Sequence, residues 1–326
     1  MKLNKLIVLT QISSCLGGGF WSSLRATKFG SSLLGPNNND ISDQDTLTTQ
    51  NNSTNSILGS KFNTIQTNQT YAAQFINYSS IAYCNRRSIK NWNCPKCSKY
   101  NKDNIEFIKY FKSYKYGNSG YIIVNKEEKS IILSYNSPKS TLGWTLETSK
   151  NYQKLNLTGE FEGAAVHSGF YQISAALFNK TFETMTSLIQ KYPTYSVVFS
   201  GHSMGGTIAA LNAYNLVSQN LLTWDKVSLV TFGQPRLGNQ QFAHYMNSQN
   251  MIIARVNNER DLVPTVPAPP DYYHFGYALY IHLDGNSTDI CKPDDFNWKC
   301  MTSPTNLNIE DRFNYWSESI DPECKA

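Results

Sequence analysis

The chain has 326 residues, with 29 basic and 24 acidic side chains, so its formal net charge is +5 and no long basic run occurs. A positive charge this weak and dispersed excludes the dense basic patch that nucleic-acid binding requires. The length is enough for a leader followed by one α/β domain of about 250 residues with a large core.

The first residues, MKLNKLIVLTQISSCLGGGFW, carry two lysines followed by an apolar stretch that Gln and Ser interrupt. The stretch is too short and too polar for a stable transmembrane span, and its layout is typical of a secretory signal. We therefore predict a signal peptide over residues 1–22 and a secreted, extracellular protein. Two alternatives stay open: a lipoprotein cleavage box that ends at Cys15, and an ordinary disordered start.

Residues 23–70 form a leader that is rich in Asn, Ser, Thr and Gln, above all from residue 31 onward. Such a segment buries too little apolar surface to offset the entropy lost on ordering, so we predict that it is disordered. The folded domain is predicted over residues 71–326.

The cysteine pattern also indicates export. Six cysteines follow Cys15, namely Cys84, Cys94, Cys97, Cys291, Cys300 and Cys324. An even number in an exported chain predicts disulfides. The C-x-x-C at Cys94 and Cys97 is also compatible with a redox pair or half of a zinc site, but the matching second C-x-x-C is missing, so no metal site is predicted. The Asn-x-Ser/Thr sequons at Asn51, Asn52, Asn68, Asn77, Asn156, Asn179 and Asn286 suit a secreted surface.

After residue 71 the pattern alternates between helices and strands. We predict helices over residues 70–82 and 169–191, and strands over residues 121–125, 130–134, 226–232, 251–256 and 275–282. The long helix carries apolar side chains at three- and four-residue intervals, which indicates one buried face. Strands that alternate with helices predict an α/β fold, with a largely parallel sheet, helices on both faces, and ligands at the carboxyl ends of the strands.

The stretch VVFSGHSMGG, residues 197–206, predicts a strand, a sharp turn around Ser203 and a helix. A nucleophilic serine at the tip of such a turn needs small neighbours, and Gly201 and Gly205 supply them. The turn also directs the amide of Met204 and the start of a helix towards a developing oxyanion. A chance G-x-S-x-G in a loop is the alternative.

Asp261 follows the predicted strand MIIARV, within the loop NNERDLVP. The order Ser and then Asp is the one in which a hydrolase places a carboxylate to orient an imidazole. The alternative is an aspartate that caps a turn.

Four motifs in order carry a family resemblance. They are VHSGF at residues 166–170, GHSMGG at 201–206, VTFGQPR at 230–236 and RVNNERDLVP at 255–264. In these the chain resembles the class 3, fungal-type triacylglycerol lipases over residues 71–324. The resemblance implies an α/β-hydrolase fold, a lipid ester as substrate or a lipid surface as partner, and no cofactor. It also implies three disulfides, Cys84–Cys324, Cys94–Cys97 and Cys291–Cys300.

The resemblance also points to a departure near the C-terminus. The family places its catalytic histidine after an aspartate and shortly before an aromatic pair, and the matching stretch here is NIEDRFNYW, residues 308–316. Arg312 therefore occupies the histidine position. Arginine stays protonated and cannot accept the proton of Ser203, so we expect its guanidinium to approach Asp261.

A second departure concerns the oxyanion hole. The family has Arg-Gly followed by Ser or Thr after an early strand, and Tyr135, Asn136 and Ser137 align there. Ser137 keeps the hydroxyl, so the resemblance implies that Ser137 and Met204 are the oxyanion donors. A simple turn serine before Pro138 is the alternative.

The remaining histidines offer one weak substitute base. The resemblance implies structural roles for His167 and His202, His274 matches a family histidine other than the base, and His244 lies on a predicted helix away from the site. His282, at the end of the last predicted strand, is the best outside candidate.

The segment TLGWTL, residues 141–146, resembles the family's lid, and its alternative is ordinary core packing. Two functions stay open: a lipid-ester hydrolase with an unconventional base, and a catalytically silent lipid-binding or regulatory relative.

Overall fold

The computed structural model describes residues 68–138, 151–292, 308 and 311–325. The predicted signal peptide, nearly all of the leader, the lid-like segment and Cys300 lie outside these residues, so the predictions about them stay predictions. None of the helices described here combines the length and the apolar character needed to span a membrane.

An eight-stranded sheet forms the centre of the fold, in the order β1-β2-β3-β6-β7-β8-β9-β10. Its strands are β1 Ile105–Lys112, β2 Ser119–Asn125, β3 Ser130–Tyr135, β6 Ser196–His202, β7 Val227–Phe232, β8 Ile252–Asn258, β9 Tyr277–Ile281 and β10 Thr288–Cys291. The run from β3 to β9 is parallel, and the pairings at both edges are antiparallel. The predicted parallel sheet is confirmed.

The antiparallel edge strands β1 and β10 were not predicted from the sequence. The residues of β1, IEFIKYFK, are mostly only half-buried, and a mixed polar and apolar strand at a sheet edge gives a weak periodicity signal. Two short pairs complete the strands of the described residues: β4 Tyr152–Lys154 with β5 Ala165–His167, and β11 Asn314–Tyr315 with β12 Glu318–Ser319.

Helices pack against both faces of the sheet. They are α1 Gln69–Ile81, α2 Arg86–Asn91, α3 Ser168–Lys191, α4 Met204–Ser218 and α5 Gln240–Ser248. Asn68, Asn85 and Asn239 cap the starts of α1, α2 and α5, each accepting a hydrogen bond from a backbone N–H of the first turn. The predicted helices over residues 70–82 and 169–191 are confirmed within two residues.

The sheet separates two hydrophobic clusters, because successive side chains of a strand point to opposite faces. In β3, Ile131 and Leu133 join the cluster under α3, α4 and α5, whereas Ile132 joins the cluster under α1 and α2. The predicted apolar stripe of α3 faces the first cluster, with Ile173, Leu177 and Met185 almost fully buried.

Two of the implied disulfides are formed, Cys84–Cys324 and Cys94–Cys97. Cys291 is also disulfide-bonded, and its expected partner Cys300 lies outside the described residues. The Cys84–Cys324 bond joins the end of the segment that follows α1 to the C-terminal segment, over a sequence separation of 240 residues. It holds residues 311–325 against the domain.

Candidate active site

Ser203 stands between the end of β6 and the first residue of α4, as the sequence predicts. Its backbone has φ +57° and ψ −131°, a conformation that costs a non-glycine residue about 1–3 kcal/mol. The Ser203 N–H donates to the carbonyl of Phe232 at the end of β7, over 2.7 Å. The strained turn is therefore fixed to the neighbouring strand, at the carboxyl edge of the sheet where ligands bind.

Two glycines make this turn possible because backbone passes directly over them. A Cβ on Gly201 would lie 2.4 Å from the carbonyl carbon of Gly205, and a Cβ on Gly205 would lie 2.2 Å from the carbonyl oxygen of Tyr135. Such distances exclude any side chain. The contact with Tyr135 also brings the end of β3 against the turn, which is where the sequence places the oxyanion segment.

Asp261 lies in the loop after β8 and is almost completely buried, with 1% of its surface exposed. Its Oδ1 accepts a hydrogen bond of 2.9 Å from the N–H of Val263. Burial raises the pKa of this carboxyl to about 7, although the Val263 N–H and the positive charge of Arg312 lower it.

The hydroxyl of Tyr315 lies close to the Asp261 carboxyl. A Cβ placed on Gly233 would lie 2.5 Å from Asp261 Oδ2 and 2.8 Å from the Tyr315 hydroxyl. The two oxygens are therefore both close to the same point in space. Tyr315 is fully buried, and within the described part of the chain its hydroxyl forms no hydrogen bond. Glycine at position 233, with φ +57°, leaves the space that both polar groups occupy.

A chain of hydrogen bonds runs through the buried ring of His202. The Ser137 N–H donates to the Tyr83 hydroxyl over 3.3 Å, and that hydroxyl lies 2.7 Å from His202 Nδ1. His202 Nε2 lies 2.9 Å from the backbone carbonyl of Arg312. Because a carbonyl only accepts, Nε2 carries the proton, and Nδ1 accepts from Tyr83.

This arrangement prevents His202 from acting as a base. Burial, together with the nearby charge of Arg312, lowers its pKa to about 3, although the hydrogen bond to the Arg312 carbonyl has the opposite effect. Both ring nitrogens are already hydrogen-bonded. The ring joins three segments: the end of α1, the serine turn and the C-terminal segment.

Arg312 lies in a 3₁₀ turn, Asp311–Phe313, that is tied to the loop after β8. The neighbouring Asp311 forms an ion pair of 2.6 Å with Arg260, and the Asn258 side chain donates to the carbonyl of Asn314. The guanidinium carbon stands 4.8 Å from the centre of the Phe313 ring.

The charge of Arg312 acts on the groups of the site. It lowers the pKa of Asp261, Tyr83 and Tyr315 and, by repulsion, that of His202. An ion pair between Arg312 and Asp261 at 4.0 Å or less is not formed in the described structure. The charge of Arg312 therefore acts on Asp261 without an ion pair between the two side chains.

The other four histidines are engaged elsewhere, and all five histidines of the chain belong to the described residues. His167 accepts from the first N–H groups of α3, His274 lies 2.8 Å from the carbonyl of Pro264, and the exposed His244 pairs with Glu160. His282 is paired with Asp289 at 3.1 Å and with Glu259 at 3.6 Å.

The place of His282 in the sheet also argues against a role as base. It follows β9, which is three strands away from β6 in the sheet order. At the usual strand spacing this separation is about 14 Å, beyond the reach of an imidazole ring.

The candidate oxyanion donors lie on both sides of the turn. The Met204 N–H belongs to the first residue of α4 and has no partner within that helix. Ser137 follows β3 and is buried. Its N–H donates a hydrogen bond to the Tyr83 hydroxyl, and its own hydroxyl lies 3.5 Å from the carbonyl oxygen of Pro138. Asn118 also reaches this region, since its amide donates to the carbonyl of Asn136 and contacts the Met204 sulfur at 3.7 Å.

Sequence reasoning missed Tyr83 and Tyr315. A usable signal existed for Tyr83, because it precedes Cys84, whose implied bond to Cys324 places it beside the C-terminal segment. Tyr315 follows Arg312 by three residues, and only the fold shows that its hydroxyl turns towards Asp261.

A mostly parallel sheet with a strained serine at a strand-to-helix turn, and a buried aspartate after a later strand, defines an α/β-hydrolase. The class 3 lipase family model matches residues 132–270. The chain is 30% identical to a lipase of Rhizopus niveus over 241 residues, which are 71% of this chain and 59% of that protein. It belongs to the class 3 lipase family.

Two further comparisons agree with this assignment. The chain is 25% identical to a secreted mono- and diacylglycerol lipase of Fusarium solani, over 66% of this chain and 63% of that protein. The crystal structure of a lipase from Rhizopus microsporus var. chinensis matches with a TM-score of 0.70 at 26% identity, covering 79% of this chain and 89% of that one. The chain thus spans about three-fifths of the length of the curated relatives.

Proposed function

We propose that this protein is a secreted hydrolase of acylglycerols or related lipid esters, with Ser203 as its nucleophile. The observation that carries the proposal is the φ of +57° at Ser203, because a strained backbone at a buried serine is retained where it presents a reactive group. The name of the Fusarium relative supports secretion and an acylglycerol substrate.

In the proposed reaction, Ser203 Oγ attacks the ester carbonyl and forms a tetrahedral intermediate. The Met204 N–H and Ser137 face its oxyanion, the alcohol leaves, and water then releases the acid from the acyl-serine. Asp261 lies where a triad acid would orient an imidazole. Arg312 takes the position of the base and cannot accept a proton, so the serine proton passes to water, and water in turn gives a proton to the departing alcohol.

The expected activity is therefore low. Losing the base of a serine triad reduces turnover by about 10⁴- to 10⁶-fold and leaves oxyanion stabilisation and binding. The test compares hydrolysis of p-nitrophenyl butyrate by the natural chain and by Ser203→Ala. We expect a slow rate that disappears in the variant, and equal rates in the two proteins would refute the proposal.

A second candidate function is a catalytically silent lipid-binding protein. This function is favoured because all five histidines, His202 included, are bound to other groups and none is free to act as a base for Ser203. The same assay separates the two functions, because a silent relative binds lipid but releases no p-nitrophenol above the Ser203→Ala background.

A further inference from the structure

The Arg312 side chain differs from the other arginines near the sheet edge in having its donors unused. Its Nε is buried without a hydrogen-bond partner, and no hydrogen bond or ion pair of its guanidinium is formed in the described structure. Arg260 pairs with Asp311, while Arg236 and Arg255 donate to the carbonyls of Thr265 and Phe275. A guanidinium has five N–H donors in a rigid fork, and in the described structure those of Arg312 have no hydrogen-bond acceptor.

This cation is partly buried beside the serine turn. The backbone carbonyl of Arg312 is bound to His202, the residue before Ser203, and its charge acts on Asp261, Tyr83 and Tyr315. A charge taken partly out of water requires compensation. Asp261 supplies only part of a negative charge near neutral pH, since its pKa is about 7.

The surroundings also favour an anion at this edge of the sheet. Helix α4 is 15 residues long and begins at Met204, next to Ser203. Its positive end therefore lies at the serine turn, to which the Arg312 backbone is linked through His202. A carboxylate has two coplanar oxygens, which match one side of a guanidinium fork or divide between two donor groups. The acid released from an ester has the same acyl chain as the ester, and its carboxylate supplies a negatively charged partner for Arg312.

We propose that this site binds the carboxylate of a free long-chain fatty acid, with Arg312 as the anchoring cation. The choice of a long acyl chain rests on the proposed function, whereas the choice of a carboxylate rests on the Arg312 side chain itself. A fatty acid at this site places one oxygen towards the Met204 N–H and the other towards the guanidinium. Neutral lipids of equal chain length lack the second interaction.

The experiment measures binding by calorimetry in the Ser203→Ala background, which removes hydrolysis as a variable. Oleate and oleyl alcohol, both below their aggregation concentrations, are compared because they share the chain and differ in charge. We expect oleate to bind about tenfold or more tightly than the alcohol, as a charge-assisted pair allows. Arg312→Gln is expected to remove this preference, and Arg312→Lys to keep part of it.

A matched control removes one positive charge from an exposed site. Arg87 is exposed on α2, and Arg87→Gln in the same background should leave both affinities unchanged. Equal binding of oleate and oleyl alcohol, or an oleate preference that survives Arg312→Gln in a folded variant, would overturn the proposal. Failure of the proposed hydrolase is a separate result, because it is measured on the natural chain with a neutral ester.

Discussion

The backbone carbonyl of Arg312 and the Nε2 of His202 are joined by a hydrogen bond of 2.9 Å. The bond holds residue 312 beside the serine turn through its main chain, and the ion pair between Arg260 and Asp311 holds the preceding residue. A substitution at position 312 is therefore expected to leave the backbone in the same position beside the serine turn. The chemistry of the site depends on which side chain that is.

Arg312→His is expected to raise esterase activity by about 100-fold or more, because an imidazole there can accept the Ser203 proton and Asp261 can orient it. The measurement is kcat/KM with p-nitrophenyl butyrate. Arg312→Gln is the matched control, since it removes the cation without adding a base, and it should show no comparable gain. Absence of any gain in a folded Arg312→His protein would mean that the oxyanion donors or Asp261 are also impaired.

Tyr83→Phe is expected to lower the free energy of unfolding by about 1–3 kcal/mol, because it leaves buried His202 Nδ1 and the Ser137 N–H without their shared partner. Urea unfolding measures the difference. Tyr114→Phe removes a hydroxyl from a side chain that is 88% exposed, and it should be neutral. A Tyr83→Phe protein as stable as the natural chain would show that the hydrogen-bond chain contributes nothing.

Asp261→Asn is expected to change how stability depends on pH. The folded-state pKa of Asp261 is about 7, against an ordinary value of 3.8, so the folded state binds the proton more tightly. The stabilisation is complete below about pH 4 and is lost as the pH rises through 7, with a slope of up to about 1.4 kcal/mol per pH unit. An asparagine does not titrate, so the variant should gain stability relative to the natural chain over that range.

This experiment compares the two proteins at each pH, because other groups titrate as well. Burial lowers the pKa of His202 to about 3, which makes stability rise with pH between about 3 and 6.5 and opposes the Asp261 effect. The charges of Arg312 and Asp311 act on the Asp261 carboxyl, the Tyr315 hydroxyl lies close to it, and all three groups are present in both proteins. The prediction fails if the difference in the free energy of unfolding stays constant from about pH 4 to about pH 7.

Gly201→Ala is expected to destabilise the protein by several kcal/mol, about the upper end of single-substitution effects, because the new methyl group would lie 2.4 Å from the backbone of Gly205. Gly285→Ala is the control. Gly285 has φ +72° but open space around it, so the substitution should cost about 1 kcal/mol of backbone strain alone. Thermal unfolding of both variants measures the contrast, and similar melting temperatures would contradict a close backbone approach at the turn.

The sequence by itself determined the elements that rest on strong local signals. The long helix followed from its apolar periodicity, the parallel sheet followed from the alternation of strands with helices, and the serine turn followed from the small residues around Ser203. That Arg312 takes the place of the family's base is implied by the resemblance, and it stays a prediction. The number of histidines, five, already limited the choice of another base.

Only the tertiary structure decided what each polar group contacts, because those contacts join residues far apart in the chain. Tyr83 and His202 are 119 positions apart, and His202 and Arg312 are 110 apart. No local pattern encodes such pairs, since they depend on how β6, the end of α1 and the C-terminal segment pack together. Burial, which sets the pKa of Asp261 and of His202, likewise exists only once the chain has folded.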